Sequence, residues 1–413
     1  MKRKTIIYYT QSEKKDLFLS RIVSLYFVLI VANYSLKTFF RTQPGIVSLI
    51  NTMIMSILVF MMLMALIKTR KYVGKIMISS YCVFGILLLI GCLINSSNGF
   101  PNDLIIKENA VWNLGLWIPL GCAVCAINNK ELLYKHLVYG SYIIDFFLAL
   151  SFFTREVYTE YGQISYNMSY GTYCVLPVLL HINEFLKSKK KWVLLVLLFE
   201  LYTLLLYGNR GVWLSIAFFF FSYYLLANRS LKKNTLFIVI GSIFFAIIFV
   251  FGDILLKYLM ASGIESRTLY MFTSGELSVS TERDELRMIT FDLIGESPLV
   301  GWGFGGEYYE IAKRYGGMLY GVTAYFNPHN GVLQNLVEFG VFLGSFATLL
   351  IILPLFKTRN VINGAHKDLL IIFGSCAVIT KLVSSAGFFI HPEVAVFLYL
   401  YYFRNRFGKV DVS

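Results

Sequence analysis

Charge is what this chain has least of. Asp, Glu, Lys and Arg make up 15% of its 413 residues, against about a quarter in a soluble globular domain. That deficit excludes an ordinary water-soluble fold. The weak alternation of ten-residue segments that marks an outer-membrane barrel is missing too. So is a disulfide framework: Cys82, Cys92, Cys122, Cys125, Cys174 and Cys376 all lie in apolar runs and read as small core hydrophobes. Cys122 and Cys125 form a CxxC, but no flanking His or second pair accompanies it, so no metal site is expected there. A small-residue cleavage site after the first apolar run is lacking, which argues against a removable signal peptide. No internal repeat is visible.

What the chain has instead is hydrophobic residues, 57% of the total, with 17% aromatic. They fall in runs of about twenty, the length that crosses a 30 Å hydrocarbon core as helix. Backbone groups in lipid must be paired within the segment, so each run predicts a helix. The runs lie near 17–36, 46–67, 75–95, 110–127, 132–153, 168–186, 192–207, 210–227, 236–256, 331–356, 368–389 and 390–403. The expected fold is therefore all-α, a single polytopic membrane domain over residues 1–413 with about twelve spans. Asp145, Glu200, Lys381 and Glu393 are its clear mid-span charges, and His181 also lies within a span.

Basic residues set the orientation. Lys2, Arg3, Lys4, Lys14 and Lys15 precede the first run, and Lys68, Arg70, Lys71 and Lys75 follow the second. Lys130 and Lys135 follow the fourth, Lys187, Lys189, Lys190 and Lys191 the sixth, and Arg229, Lys232 and Lys233 the eighth. Lys357, Arg359 and Lys367 follow the tenth, and Arg404, Arg406 and Lys409 close the chain. These are 24 of the 37 basic residues, in every second loop and at both ends. The positive side is cytoplasmic, which places both termini inside. The net charge of +13 is thus topological and gives no support for nucleic-acid binding, which needs one contiguous basic face.

One polar stretch, 257–328, breaks the rhythm between the ninth and tenth runs. It holds nine acidic and six basic residues, and the alternation puts it outside the cytoplasm. Loops this long are usually functional. It ends in Asn327-Pro328-His329-Asn330-Gly331. Asn at the cap and Pro at the first helical position predict that a helix opens at Asn327, with His329 in its first turn. The positive helix end favours a neutral imidazole, the state a general base needs. Gly208-Asn209-Arg210-Gly211 makes a tight turn on the basic-poor side, where a cation suits an anionic headgroup. In Ser280-Thr281-Glu282-Arg283-Asp284-Glu285-Leu286-Arg287, Thr281 and Asp284 read as a capping box. Arg283 and Arg287 share one face of that helix, and Leu286, Ile289 and Leu293 form the other. Guanidinium is the bidentate partner of phosphate, although a solvated face paired to nearby carboxylates is equally consistent. Gly301-Trp302-Gly303-Phe304-Gly305-Gly306 reads as a flexible turn. Trp302 there can stack on a sugar or join an interfacial aromatic belt. The spacing of Gly340 and Gly344 is that of helix packing.

Three stretches, GNRGVW, RMITFDLIGESPLVGWGFG and NPHNGVLQNLVEFGVFLG, in that order and topology, resemble the O-antigen ligase and Wzy-type polysaccharide polymerase superfamily. The resemblance covers roughly residues 205–345. It implies a membrane glycosyltransferase of GT-C-like architecture in a bacterial inner or plasma membrane, with its active site on the extracytoplasmic side. It implies metal-independent, inverting transfer without a cofactor from an undecaprenyl-diphosphate-linked oligosaccharide to a glycan acceptor. Carried over residue by residue, the functional set is Arg210, Arg287 and His329, with Arg283, Asn330 and Trp302 contacting substrate. A polymerase of capsular, exo- or O-antigen polysaccharide is the leading reading. A flippase and a chain-length regulator are then its functional partners, and membrane lipid its surroundings. A ligase delivering a finished glycan to lipid A core or a cell-wall acceptor uses the same motifs. The Lys-, Ile- and Tyr-rich usage of a low-GC genome tilts the choice towards polymerase. A flippase or transporter, as a different class, predicts repeats and short loops.

The orientation is directly testable. In a cysteine-free background, Thr273→Cys and Tyr320→Cys should react with an impermeant maleimide in intact cells, and Ser188→Cys should not. Labelling of position 188 from outside inverts the map.

Overall fold

A computed structural model describes residues 10–99, 114–155, 167–208, 210–226, 281–303, 305–315, 330–361, 364–382 and 391–403, with isolated positions at 112, 235, 239, 254, 257, 258, 261 and 328. Every regular element among the described residues is helical. In chain order these are α1 (Gln11–Phe39), α2 (Pro44–Ser97), α3 (Ile118–Ala126), α4 (Lys130–Phe153), α5 (Met168–Ser188), α6 (Lys191–Tyr207) and α7 (Arg210–Phe221). They continue with α8 (Thr281–Glu296), α9 (Gly306–Arg314), α10 (Gly331–Lys357), α11 (Ala365–Leu382) and α12 (Pro392–Tyr402). Four of them, α1, α2, α4 and α10, are long and apolar enough by length and composition to cross a membrane. The expected run 236–256 lies outside the described residues, apart from isolated positions.

Local signals start and stop these helices. Thr10 and Glu13 cap α1 reciprocally, at 3.2 and 2.8 Å. Asn129 caps α4 and Asn167 caps α5, each accepting from a backbone N–H at 3.0 Å. Pro119 and Pro392 occupy the first turns of α3 and α12. A hairpin of two residues joins α5 to α6, closed by Lys189 in the left-handed region (φ 54°).

The core gathers α1, α3, α4, α5, α7, α11 and α12. Leu19, Val23, Tyr26, Leu120, Leu179, Phe373 and Phe397 are fully buried there. Close approaches need small residues. A Cβ at Gly140 would meet Ser24 Oγ at 2.2 Å, and one at Gly121 the Tyr399 ring at 2.5 Å. Outside this core the surface stays apolar: Leu49, Phe60, Ile67, Ile78, Leu89 and Leu93 of α2 are 59–64% exposed. In water such a surface drives association, whereas in a bilayer it is solvated by lipid.

One end of the bundle is basic. There Asp16 accepts from the backbone N–H of Asn128 and Asn129, at 3.1 and 2.8 Å. Lys187 pairs with Asp368, and Lys15 lies over Tyr72. The two runs expected as separate spans, 46–67 and 75–95, are a single helix broken only at Val73 (φ −123°, ψ 18°). The break falls inside the Lys68–Lys75 segment at that basic end. The first half packs beside α1, with Lys68 over Phe18 and Asn33 bonded to Asn51 at 3.1 Å. The second half turns to α3 and α12, where Tyr81 donates to Leu114 O at 3.0 Å and Tyr399 to Ser80 Oγ at 2.6 Å. A one-residue irregularity stands where a loop was expected, because a helical backbone keeps its hydrogen bonds through the change of direction.

The other break is sharper. Gly340 has φ 73° and ψ 173° inside α10. In a straight helix Asn335 and Gly344 would lie about 13 Å apart along the axis. Here a Cβ at Gly344 would come within 2.3 Å of Asn335 O, and Asn335 donates to Thr348 Oγ1 at 3.1 Å. The two arms therefore fold against each other. Gly340 and Gly344, expected to pack one helix on another, instead let α10 turn on itself.

Gly340→Ala places a Cβ 2.3 Å from Leu299 O at a left-handed φ. The backbone strain alone costs about 1–3 kcal/mol, because φ 73° with ψ 173° is a region essentially confined to glycine. The variant should show a lowered thermal midpoint in detergent. Gly85→Ala, in α2 with nothing within 4 Å, should be neutral or stabilising, by up to about 1 kcal/mol.

Candidate functional site

The α10 break leaves backbone groups without helical partners, and the segment before α9 supplies them. Trp302 N–H donates to Val337 O at 2.8 Å, Gly303 N–H to Glu338 O at 3.0 Å, and Val341 N–H to Pro298 O at 2.7 Å. Such close backbone approach demands glycine: a Cβ at Gly301 would lie 2.4 Å from Glu338 O, and Gly301, Gly303 and Gly305 all have φ between 74° and 85°. The glycine-rich segment, expected as a flexible turn, is a strap paired to the broken helix. Trp302 is half-buried, and its indole N–H donates to Leu293 O at 2.9 Å. It packs beside Leu286, Leu293, Ile311 and Val337, the small core that seats α8 and α9 on α10. The apolar face expected for α8 is the face it buries.

Beneath the strap lies a fully desolvated acid pair. Gln334 Nε2 donates to Glu307 Oε1 at 2.8 Å and to Glu338 Oε1 at 3.1 Å, and Gly305 N–H reaches Glu338 Oε1 at 3.3 Å. Burial, and then the neighbouring Glu338 carboxylate, push the Glu307 carboxyl well above its usual range. The pair clamps α9 to α10. Glu338 had no role in the sequence reading, because only the break explains why it turns inward.

At the end opposite the basic one, several helix termini meet. Arg41, just beyond α1, donates to Thr154 O after α4 at 3.4 Å. Next to it, Arg155 lies 3.6 Å from the Phe152 ring and 5.7 Å from that of Tyr207. Tyr207 O accepts from Asn167 N–H at 3.0 Å, which joins the α5 start to the turn leading into α7. Lys37 and Arg41 share a shallow basin with Asn51. Lys37, Arg41 and Arg155 thus form a cationic rim leading to the chain segment that carries Arg210. A cavity of about 360 Å³ opens among α1, α4, α5 and α12, lined by Tyr26, Trp112, Thr172, Tyr173, His391 and Glu393. The broken arm of α10 belongs to the same end. Leu355 packs by Gly374 and Tyr402 bonds to Leu350 O at 2.7 Å, so the later arm runs towards the basic end and the break lies away from it.

The expected site residues divide as follows. His329 lies outside the described residues. Arg210 opens α7 and Arg283 lies in α8, but their side chains are likewise outside the description. Arg287 is exposed on α8 and pairs with Asp284 at 3.2 Å. Asn330 is the N-cap of α10, accepting from Val332 and Leu333 N–H at 3.0 and 3.1 Å. This corrects the expected start at Asn327-Pro328: of two Asn near the boundary, the one whose side chain reaches the second and third N–H wins, and position 329 precedes the cap instead of entering the first turn. Sequence reasoning missed Lys37, Arg41 and Arg155. The signal was present, in cations on the basic-poor side of the alternation.

Residues 193–348 match the family model described as Wzy_C, O-antigen ligase. No curated protein and no solved structure matches the chain. The matched stretch runs from α6 through the α7 turn, the α8–α9 segment and the break in α10.

The acid pair gives the strap a pH dependence. A carboxyl whose value is raised by folding adds stability that is complete below its ordinary value of about 4.3 and is lost as pH rises through the raised value. Protease resistance of the α8–α9 segment should therefore fall as pH rises from the ordinary carboxyl value towards the raised one. Glu307→Gln, an isostere of the protonated acid, should flatten that dependence. An unchanged slope in Glu307→Gln assigns it to another group.

Proposed function

We propose that this chain, which carries the O-antigen ligase domain over residues 193–348, polymerises glycan repeat units from an undecaprenyl-diphosphate-linked donor on the extracytoplasmic face of a bacterial inner or plasma membrane. The acceptor hydroxyl attacks the anomeric carbon of the donor from the face opposite the leaving group. The new C–O bond forms as the bond to the diphosphate breaks, inverting the centre. His329 takes the hydroxyl proton. Arg210 and Arg287 stabilise the negative charge that grows on the departing lipid diphosphate. Arg283 assists them, and Asn330 and Trp302 position the sugar through the cap and the strap that they build. Lys37, Arg41 and Arg155 form the approach, drawing the anionic headgroup to the rim. Neither a cofactor nor a metal enters the transfer step.

The observation that carries this reading is the family match, which spans all three functional motifs. The cationic rim at the end of the bundle where those motifs begin and end supports it independently. The family description favours a second reading, transfer of a finished glycan to another acceptor, and that reading uses the same residues.

The assay is purified protein with lipid-linked repeat units in buffer without added divalent metal. A ladder of products marks the polymerase, and a single transfer to an added acceptor marks the ligase. His329→Ala should lose about 10²–10⁴-fold in rate with donor binding retained. Arg210→Ala and Arg287→Ala should each lose about 30–1000-fold, equivalent to about 2–4 kcal/mol. Lys at either position should rescue poorly, because it lacks the bidentate fork. Arg155→Ala should raise KM more than it lowers kcat. A His329→Ala enzyme of wild-type rate with an inactive His391→Ala would move the base to the cavity.

A further inference from the structure

Midway along the bundle, three helices bring Asp145 of α4, His181 of α5 and Glu200 of α6 together. Their ligating atoms all lie within 4.8 Å of one another. His181 Nδ1 is 2.9 Å from Glu200 Oε1 and 3.5 Å from Asp145 Oδ2. His181 has no exposed surface and Glu200 only 3%. Glu200 Oε2 is buried with no hydrogen-bond donor beside it. None of the three belongs to the transfer chemistry proposed above.

The hydrogen bonds around the imidazole decide which nitrogen carries a proton. Ser141 Oγ donates its one hydrogen to Val138 O at 2.7 Å. Towards His181 Nε2, 2.8 Å away, it can only accept. In that arrangement Nε2 carries the N–H, and Tyr142 stacks on the ring at 4.4 Å and holds its plane. The neutral ring then points its Nδ1 lone pair at two carboxylates. Three electron-rich atoms converge in a desolvated space, and something positive must lie among them. A single proton leaves a net negative charge in the membrane interior, and protons alone neutralise the group only when both carboxyls hold one. A divalent cation neutralises both carboxylates and uses all three donors. Ligands about 2.0–2.1 Å from a tetrahedral zinc lie about 3.3–3.4 Å apart, and the two distances from Nδ1 bracket that spacing. The Ser141 contact is the outer-shell bond that metal-ligating histidines make through their other nitrogen.

We propose that Asp145, His181 and Glu200 bind a divalent transition cation, zinc by the chemistry of one nitrogen and two carboxylate donors, which ties α4, α5 and α6 together within the membrane. The site is structural and lies apart from glycosyl transfer.

The test is metal content of the full-length chain, purified in detergent without a chelating resin, measured by inductively coupled plasma mass spectrometry. About one zinc per chain is expected, and Glu200→Gln and Asp145→Asn should lose it. Ser141→Ala should retain the site with affinity weakened about 10–100-fold. Cys122→Ala/Cys125→Ala should keep full content. Should the acidic variants fail to fold, wild-type protein stripped by chelator and reloaded with cobalt decides the matter. A visible ligand-field band with one-to-one saturation supports the site. Metal-free wild-type protein with no cobalt band overturns it in favour of a proton, and loss of metal in the cysteine variant alone moves it to the CxxC.

Discussion

The backbone exchange between the broken α10 and the strap before α9 is the constraint on which the putting-together of this molecule's motif region depends. A helix interrupted in an apolar environment exposes carbonyl and amide groups that nothing in lipid can satisfy. Here the carbonyls of Val337 and Glu338 and the amide of Val341 find partners in Pro298, Trp302 and Gly303. Once these bonds form, α8 and α9 must lie on α10, since the strap is continuous with both. The buried Glu307–Gln334–Glu338 group and the Trp302 indole then fill what the strap encloses. The glycines at 301 and 340 follow from the same requirement, because only they permit these two backbones to approach so closely.

This arrangement gives the motifs of the matched stretch a physical division of labour. The EFG and GWG elements are scaffold: they break the helix, close the break and cap the acid pair. Arg287, in the same motif as the GWG element, stands apart from that duty on the exposed face of α8, paired to Asp284. A polar segment anchored in this way can hold cations over a membrane surface without burying them. The rim of Lys37, Arg41 and Arg155 extends that character to the ends of α1 and α4. There the Arg155 guanidinium is set among aromatic rings, over Phe152 and near Tyr207.

The mid-bundle triad shows the opposite use of polarity. Glu200 and His181 are removed from solvent, and α4, α5 and α6 are held around them. Buried charge of this kind is costly unless compensated, so it acts as a constraint on which helices may neighbour one another. The rim, by contrast, keeps its charges at the helix ends, where that cost is small.

Composition and periodicity were enough to determine that the regular elements of the described residues are helical and their outer surface apolar and lipid-compatible, because run length and the scarcity of charge are local properties. The apolar face of α8 was legible for the same reason, and so were the three motifs that the family match covers. The joining of two expected spans through Val73 was not, since a basic segment between apolar runs reads alike as a loop or as a bent helix. The cap at Asn330 in place of Asn327 depended on which side chain reaches the free amides. The fold-back at Gly340 was hidden as well: glycine four residues from glycine is compatible with packing and with breaking, and only the strap from a distant segment selects the break. The same holds for Asp145, His181 and Glu200. Each is visible in the sequence as an isolated polar residue in a span, but their meeting depends on how three helices are rotated against one another, and that rotation is set by the packing of the whole bundle.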